Sequence, residues 1–281
     1  YIALGTTFPE AGGGYLWVRK GLGDFQGFLA GWMSWFGHLA AACLYALSFG
    51  FYAHEFLKFA GIDLGIPSGG ESKIFAVLVV LVFGYLNWRG AKSTGSTGNW
   101  ITIALVVILG LFIITGTIHI LTNPELLQNY TPFLPAGFIG VLAAASFFYI
   151  AFEGSEIQVQ AAEETKDPQR TIKKALVRSW AIVSIVYVLV SLVFVGIENW
   201  KDAAVLGEGA IAVVTGKFLP FGNLLMVIGG ILANIAALNA TIYSSSRVSY
   251  ALARDKTIWS RLSDIHLENF TPYLAVIVST I

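Results

Sequence analysis

Charge is what this sequence has least of. Asp, Glu, Lys and Arg together make up 12 % of its 281 residues, about half the share in an average soluble domain. A soluble chain of this length would have too few charges to coat its surface. Neither sign is in excess, with 17 basic and 17 acidic residues, so there is no basic field to attract nucleic acid. Cysteine occurs once, at Cys43, which excludes an intrachain disulfide and any multi-cysteine zinc or iron–sulfur site. The four histidines form no cluster with metal-ligand spacing. What is abundant is apolar: 56 % of the residues are hydrophobic and the mean hydropathy is +0.71. That rules out a disordered, collagen-like or coiled-coil chain and leaves an integral membrane protein.

The distribution of charge points the same way. The stretches 25–54, 74–88, 93–124, 126–152, 179–197, 218–246 and 269–281 contain no Asp, Glu, Lys or Arg. A helix that crosses the bilayer needs about 20 mostly apolar residues, and five of these stretches reach or approach that length. We read the tail of one helix at 1–8, helices near 25–57, 73–88, 98–121, 137–162, 173–197 and 217–253, and the start of another at 271. Residues 1–15 show no basic segment ahead of an apolar run. The chain begins and ends inside apolar stretches, as expected of a piece of a longer polypeptide.

With these spans the loops alternate sides. One side takes thirteen basic residues, from Arg19 and Lys20 through Arg89, Lys92, Lys166, Arg170, Lys173, Lys174 and Arg178 to Arg247, Arg254, Lys256 and Arg261. The other takes Lys58, Lys73, Lys201 and Lys217. The bias makes the first side cytoplasmic. The runs 25–57 and 217–253 are too long for a perpendicular crossing, so those helices tilt or project. The segment 198–217 has a polar start and an apolar run at Ala210–Val214, which fits either an irregular loop or a short amphipathic helix on the outer face.

Four clusters stand out. In Phe8–Tyr15, Pro9 ends a helix and Gly12, Gly13 and Gly14 permit a tight turn. No strand precedes these glycines and no P-loop lysine follows, so they are not a nucleotide cradle. In Ala151–Glu156, the carboxylates Glu153 and Glu156 flank Gly154 inside an apolar run. An ionised residue at the bilayer centre costs about 2.5–3.5 kcal/mol on insertion scales, and glycine weakens the helix there. A helix broken near the midplane exposes backbone N–H and C=O groups, which are tolerated where they line a cavity and bind ligand or ions. The competing reading is an unbroken helix whose glutamates pair inside the bundle. Two carboxylates three residues apart resist ionising together, so at least one is expected to carry a proton for part of a functional cycle. In Ala162–Arg170, Asp167-Pro168 ends one helix and starts the next, beside a solvated run of topology charges. In the fourth cluster, Asn239 and Thr241 lie within a span, followed by Ser244, Ser245, Ser246 and Arg247; these small and polar residues suit helix packing as well as ligand contact. His38 sits mid-span, either as a neutral imidazole bonded to a neighbouring helix or as a proton-linked group.

Taken together, in this order and spacing, the clusters resemble the amino acid–polyamine–organocation (APC) permeases over essentially the whole chain. A stretch like Phe8–Tyr15 follows the second span of such permeases. Elements like Gly154–Glu156 and Ala162–Arg170 mark the sixth span and its cytoplasmic exit. Elements like Leu238–Thr241, Ser246-Arg247, Ala253–Asp255 and Thr271-Pro272 mark the eighth span and the start of the ninth. The resemblance implies an all-α, multi-span helical bundle with a LeuT-like inverted-repeat fold, incomplete in this chain, whose broken first and sixth helices meet at a midplane site. The first span, and its share of that site, falls outside the sequence. The resemblance makes Ile150, Ala151, Phe152, Glu153 and Gly154, with Asn239 and Thr241, substrate-contacting, the carbonyls around Ile150 and Glu153 facing the substrate ammonium. It makes Glu156 gating or proton-linked; Glu153, which is not part of the family motif, and His38 are further candidates by their own chemistry. Pro9, Gly13, Gly14, Glu164, Pro168 and Arg247 fall in its cytoplasmic loop motifs. It implies an amino acid as substrate, the lipid bilayer as surroundings, no cofactor, no metal and no nucleic acid, and it specifies no oligomeric state.

Three departures matter. Some relatives carry an aromatic gate where this chain has Ile150. Some proton-coupled relatives carry a lysine in the fifth span, and Gly98–Ile118 has none. Ala236-Ala237 lack the hydroxyls that sodium-coupled members of the fold use. The expected function is secondary transport of amino acids by alternating access, proton-coupled or as an exchanger, with a polyamine or another organic cation as the alternative substrate. A seven-helix receptor would suit the span count but has no account of the break. An intramembrane enzyme would need a metal-spaced histidine pair or a nucleophile–base pair, and neither is present.

The topology is directly testable. A cysteine placed at Lys173 is expected to be shielded from an impermeant external thiol reagent in intact cells, and one at Lys201 to be labelled; the opposite pattern overturns the span assignment.

Overall fold

In the computed structural model, residues 1–281 are described apart from 9, 11, 67, 68 and 153; side chains are also not described at 91–97, 149, 150 and 164. Pro9 and Glu153 therefore lie outside the described residues, as do the side chains of Ile150 and Glu164. Among the described residues the chain is helical, without strands. The helices are α1 (Ile2–Thr7), α2 (Gly14–Leu22), α3 (Asp24–Phe59), α4 (Gly70–Arg89), α5 (Ala91–Thr122), α6 (Gly137–Ala151), α7 (Ser155–Gln160), α8 (Pro168–Ile197), α9 (Trp200–Ala203), α10 (Ala210–Gly216), α11 (Gly222–Arg254) and α12 (Tyr273–Thr280). Among the described residues, five segments are long and apolar enough to cross a membrane: Asp24–Phe59, Gly70–Arg89, Gly98–Thr122, Pro168–Ile197 and Gly222–Arg254.

Local chemistry sets several boundaries. Pro168 opens α8, where its fixed φ suits the first turn and its missing N–H is not needed. The segment 198–217 contains two short helices, α9 and α10. The chain then turns at Phe221, with φ 59°, so α11 starts at Gly222. The long apolar run expected from 137 is interrupted after Ala151 and resumes as α7 at Ser155.

The bundle is organised around α11. Its first turns join Ile108 and Phe112 of α5, Val193 of α8 and Val214 of α10 through Met226 and Val227. Its middle joins Ala42 and Ala46 of α3 and Val79 and Phe83 of α4 through Leu238 and Ile242. Its last turns join Tyr15 and Leu16 of α2 through Val248, Ala251 and Leu252. The outward faces of the spans expose Leu81, Val107, Ile114, Ile185 and Val188, as a surface solvated by lipid requires.

The inward face of α3 carries Gly27, Gly31, Ala42, Ala46 and Gly50. Small residues let helix backbones approach closely where apolar side chains gain nothing by leaving lipid. The tightest approach is at Gly50, where an added Cβ would overlap the Ser72 carbonyl oxygen of α4. Gly50→Ala is therefore expected to push α3 off α4 and cost about 1–3 kcal/mol, seen as a lower melting temperature and less monodisperse protein. Gly37→Ala, whose Cβ meets nothing within 4 Å, is expected to leave both unchanged.

Candidate functional site

A cavity of about 580 Å³ opens beside the interruption between α6 and α7. Ala151, Gly154 and Ile157 bring the interrupted helix to it, His38, Leu44 and Tyr45 bring α3, Tyr187 brings α8, and Ala237, Ala240 and Thr241 bring α11. None of its described lining residues is Asp, Glu, Lys or Arg.

The interruption is held by α8. The Tyr187 hydroxyl donates to the Ala151 carbonyl at 3.2 Å. Ser155 Oγ donates to the Phe152 carbonyl at 3.0 Å and accepts from the Trp180 indole N–H at 2.5 Å. The Phe152 ring packs on both aromatics, with centroids 5.6 Å from Trp180 and 5.5 Å from Tyr187. Backbone groups freed by a break inside a membrane must find such partners, and here the Tyr187 and Ser155 hydroxyls supply two of them, with Trp180 holding Ser155 in place.

On the α2 side of the cavity lies a closed polar ring. Glu156 Oε1 accepts from Ser34 Oγ at 3.3 Å and from Gln160 Nε2 at 3.2 Å. Gln160 Oε1 accepts from Ser244 Oγ, which lies 2.7 Å from His38 Nε2. His38 Nδ1 lies 2.6 Å from the Ser34 carbonyl. The ring ties α3, α7 and α11 together, and His38, Glu156, Gln160 and Ser244 are all buried. The turn before α2 lies against it. Gly13 has φ 48°, and a Cβ there would stand 3.2 Å from Gln160 Cγ; a Cβ at Gly14 would stand 3.3 Å from Glu156 Oε1.

Beyond the ring, at the α2 end, Tyr15 donates to Asp255 at 2.8 Å. Arg19 pairs with Asp255 and, at 2.7 Å, with Asp24. Burial first, then the Asp255 carboxylate, pushes the Tyr15 phenol above its ordinary range. Asp24 first, then Asp255, pushes the Arg19 guanidinium up. Both therefore stay protonated across the physiological range, and α2 is bound to both α3 and the end of α11. Arg254 and Glu163 add a 3.1 Å pair.

The sequence candidates distribute unevenly over this geometry. Ala151, Gly154, Thr241 and His38 line the cavity, while Glu156, Gly13 and Gly14 belong to the ring or touch it. Phe152 faces Trp180 and Tyr187. Asn239 points to α4, where its Oδ1 accepts from Asn87 Nδ2 at 2.9 Å; it is not among the cavity's lining residues. Arg247, expected in a loop motif, lies inside α11 and is buried. Its guanidinium stacks 3.9 Å from the Tyr243 ring and donates to Ser246, which suits a buried cation. Ser34, Gln160, Trp180 and Tyr187 escaped the sequence reading, in which Ser244 figures only as one of a run of small polar residues. Their partners lie 25 to 206 residues away in the chain in the cross-helix bonds that matter here, and no local pattern marks such pairs.

The family model described as amino acid permease matches residues 1–281. The chain is similar to the branched-chain amino acid permease BcaP of Bacillus subtilis, at 27 % identity over 98 % of this chain and 60 % of that protein. It is also similar to the methylthioribose transporter of the same organism, at 26 % identity over 97 % of this chain and 60 % of that protein. The serine/threonine exchanger SteT, again of Bacillus subtilis, is 27 % identical over 97 % of this chain and 60 % of its own length. The chain thus spans about 60 % of the length of these curated relatives, which are transporters by name rather than enzymes or receptors.

Trp180→Phe keeps a ring against Phe152 and removes the donor to Ser155. It is expected to lower stability by about 1 kcal/mol, measured by thermal unfolding of purified protein; an unchanged midpoint would mean that the indole N–H does not help to hold the interruption.

Proposed function

The chain belongs to the amino acid permease family, and from that premise we propose that the polypeptide carrying it moves amino acids across the cell membrane by alternating access, coupled to a proton or exchanged for a second amino acid. The family's LeuT-like helical fold and the five candidate spans make this a multi-pass integral membrane protein. The observation that carries the reading is the cavity at the interruption between α6 and α7. Its volume lies within the range of small-molecule sites, about 300–1,000 Å³. It adjoins a helix end, and in transporters built this way such ends meet a substrate's own ammonium and carboxylate.

The lining supports a substrate with a neutral side chain. Leu44, Ile157, Ala237 and Ala240 offer apolar contact, and the described lining has no carboxylate to match a second amine. A polyamine, whose every nitrogen carries charge, finds less here than an amino acid does. The names of the branched-chain permease and the serine/threonine exchanger agree with a neutral substrate.

The test is uptake into proteoliposomes holding the full polypeptide. Leucine, serine, arginine, putrescine and methylthioribose are offered under a pH gradient, or with vesicles preloaded with amino acid. Saturable uptake of leucine or serine under either condition is expected, with putrescine excluded. Uptake of putrescine alone, or of nothing, overturns the reading. In the same assay Ala240→Leu, which fills part of the cavity, is expected to lower leucine uptake about tenfold or more, while serine, being smaller, loses less.

A further inference from the structure

Helix α8 presents two opposite faces. Ile172, Leu176, Val193 and Ile197 are buried against the bundle. On the far side, Arg170, Lys173, Lys174 and Arg178 are exposed. Arg170, Lys174 and Arg178 follow one another at intervals of four, so they form a single row along the helix, with Lys173 beside it. The same face continues with Ile182, Ile185 and Val188, all exposed. A column of cations thus runs directly into a column of aliphatic side chains.

Lengths set the depth of this boundary. Helix α8 has 30 residues, about 45 Å at 1.5 Å per residue, which matches a bilayer with its headgroup layers, about 40–45 Å. Its uncharged part, 179–197, is about 28 Å long, close to the hydrocarbon core of about 30 Å. Arg178 therefore stands where the hydrocarbon ends. Lys174 and Arg170 stand about one and two turns further out, at the depth of the headgroups. Trp180, also exposed, sits at the same boundary, as interfacial tryptophans do.

Among the described residues, little answers this charge. Like charges four apart on a helix repel, and the positive end of the helix dipole adds to the repulsion. The first turn of α8 holds no acidic residue, and none of the four side chains makes an ion pair among the described residues. Asp167, at the N-cap, makes no side-chain capping bond and is one carboxylate against four cations. Glu163 is engaged by Arg254 of α11. Helix α1, which packs on α8, contains no charged residue. Topology alone is satisfied by basic residues anywhere in the loop; it does not ask for them in one row above a lipid-facing stripe.

We propose that this face binds the headgroup of an anionic phospholipid, its phosphate held by Arg170, Lys174 and Arg178 and its acyl chains lying along Ile182 and Ile185. Guanidinium forks and ammonium groups suit phosphate oxygens. A zwitterionic headgroup brings its own cation and gains less. The inference goes beyond amino acid transport and holds whatever substrate the protein carries. It also reaches the interruption between α6 and α7. Ser179, next to Arg178, accepts from Gln158 of α7 at 3.1 Å, and Trp180 donates to Ser155. A lipid that fixes this turn of α8 steadies both bonds by which α8 holds α7.

The test needs no substrate. The full polypeptide is placed in nanodiscs of phosphatidylcholine with increasing phosphatidylglycerol of the same acyl chains, and its melting temperature is followed. A rise of about 2–4 °C with phosphatidylglycerol is expected, smaller at high salt because the charges are exposed. Lys173→Gln with Lys174→Gln removes two of the thirteen basic residues on this side, so the topology signal stays. Half the rise is then expected to need about tenfold more phosphatidylglycerol. Lys256→Gln with Arg261→Gln removes the same charge from the loop after α11, where both side chains are exposed, and is expected to behave as wild type. If the first pair does not fold, Arg178→Gln decides, with about a fivefold change expected. No rise over pure phosphatidylcholine, an α8 variant that responds as wild type, or a control pair that loses the rise as fully overturns the inference. Glycerol 1-phosphate added to phosphatidylcholine nanodiscs is expected to change nothing; an equal rise would overturn the lipid as occupant.

Discussion

A helix interrupted within a membrane leaves backbone groups that lipid does not satisfy, and the rest of this architecture is arranged around that constraint. The gap between Ala151 and Ser155 is tolerated because α8 runs alongside it with Tyr187 and Trp180 at the right heights. Placing α8 there fixes one wall of the cavity. Holding the second half-helix, α7, then falls to Glu156 and Gln160, which reach α3 and α11 through Ser34, His38 and Ser244. The same interruption therefore accounts for the cavity, for its aromatic wall and for the polar ring beside it.

Much of the architecture could be read from residue order because it rests on one-dimensional signals. Uncharged stretches of sufficient length mark membrane spans irrespective of their neighbours, Pro168 marks a helix start, and the Glu–Gly–Ser–Glu stretch marks a weak point in an apolar run. The site itself was legible only in part. His38, Glu156, Gly13 and Gly14 announce themselves as a charge, a titratable ring or a glycine run in the wrong surroundings. Gln160 and Ser244 are ordinary polar residues whose significance comes from meeting across 84 positions of sequence. Asn239 illustrates the reverse case. A polar residue in a span invites a ligand, yet its amide is engaged by Asn87 of α4, a partner that no periodicity in α11 discloses. Arg247 shows how a cation near a span end can be drawn inside the helix when an aromatic face is waiting for it.

Two kinds of adhesion coexist along α3. At Gly50 and its neighbours the contact is backbone against backbone, with little shape to interlock. At Ser34 and His38 it is directional and polar. The first supplies proximity over much of the helix, while the second fixes one register among many that the small residues would tolerate. Loss of the polar contacts would thus cost the interface its alignment before its closeness.

Helix α11 runs without interruption from Gly222 to Arg254, about 50 Å at 1.5 Å per residue. It is gripped by apolar clusters near both ends and passes the cavity in between, at Ala237, Ala240 and Thr241. Were such a rod to tilt rigidly about the level of the cavity, its two ends would move in opposite directions, and a gap widening at one face would narrow at the other with no strut between the faces to coordinate them.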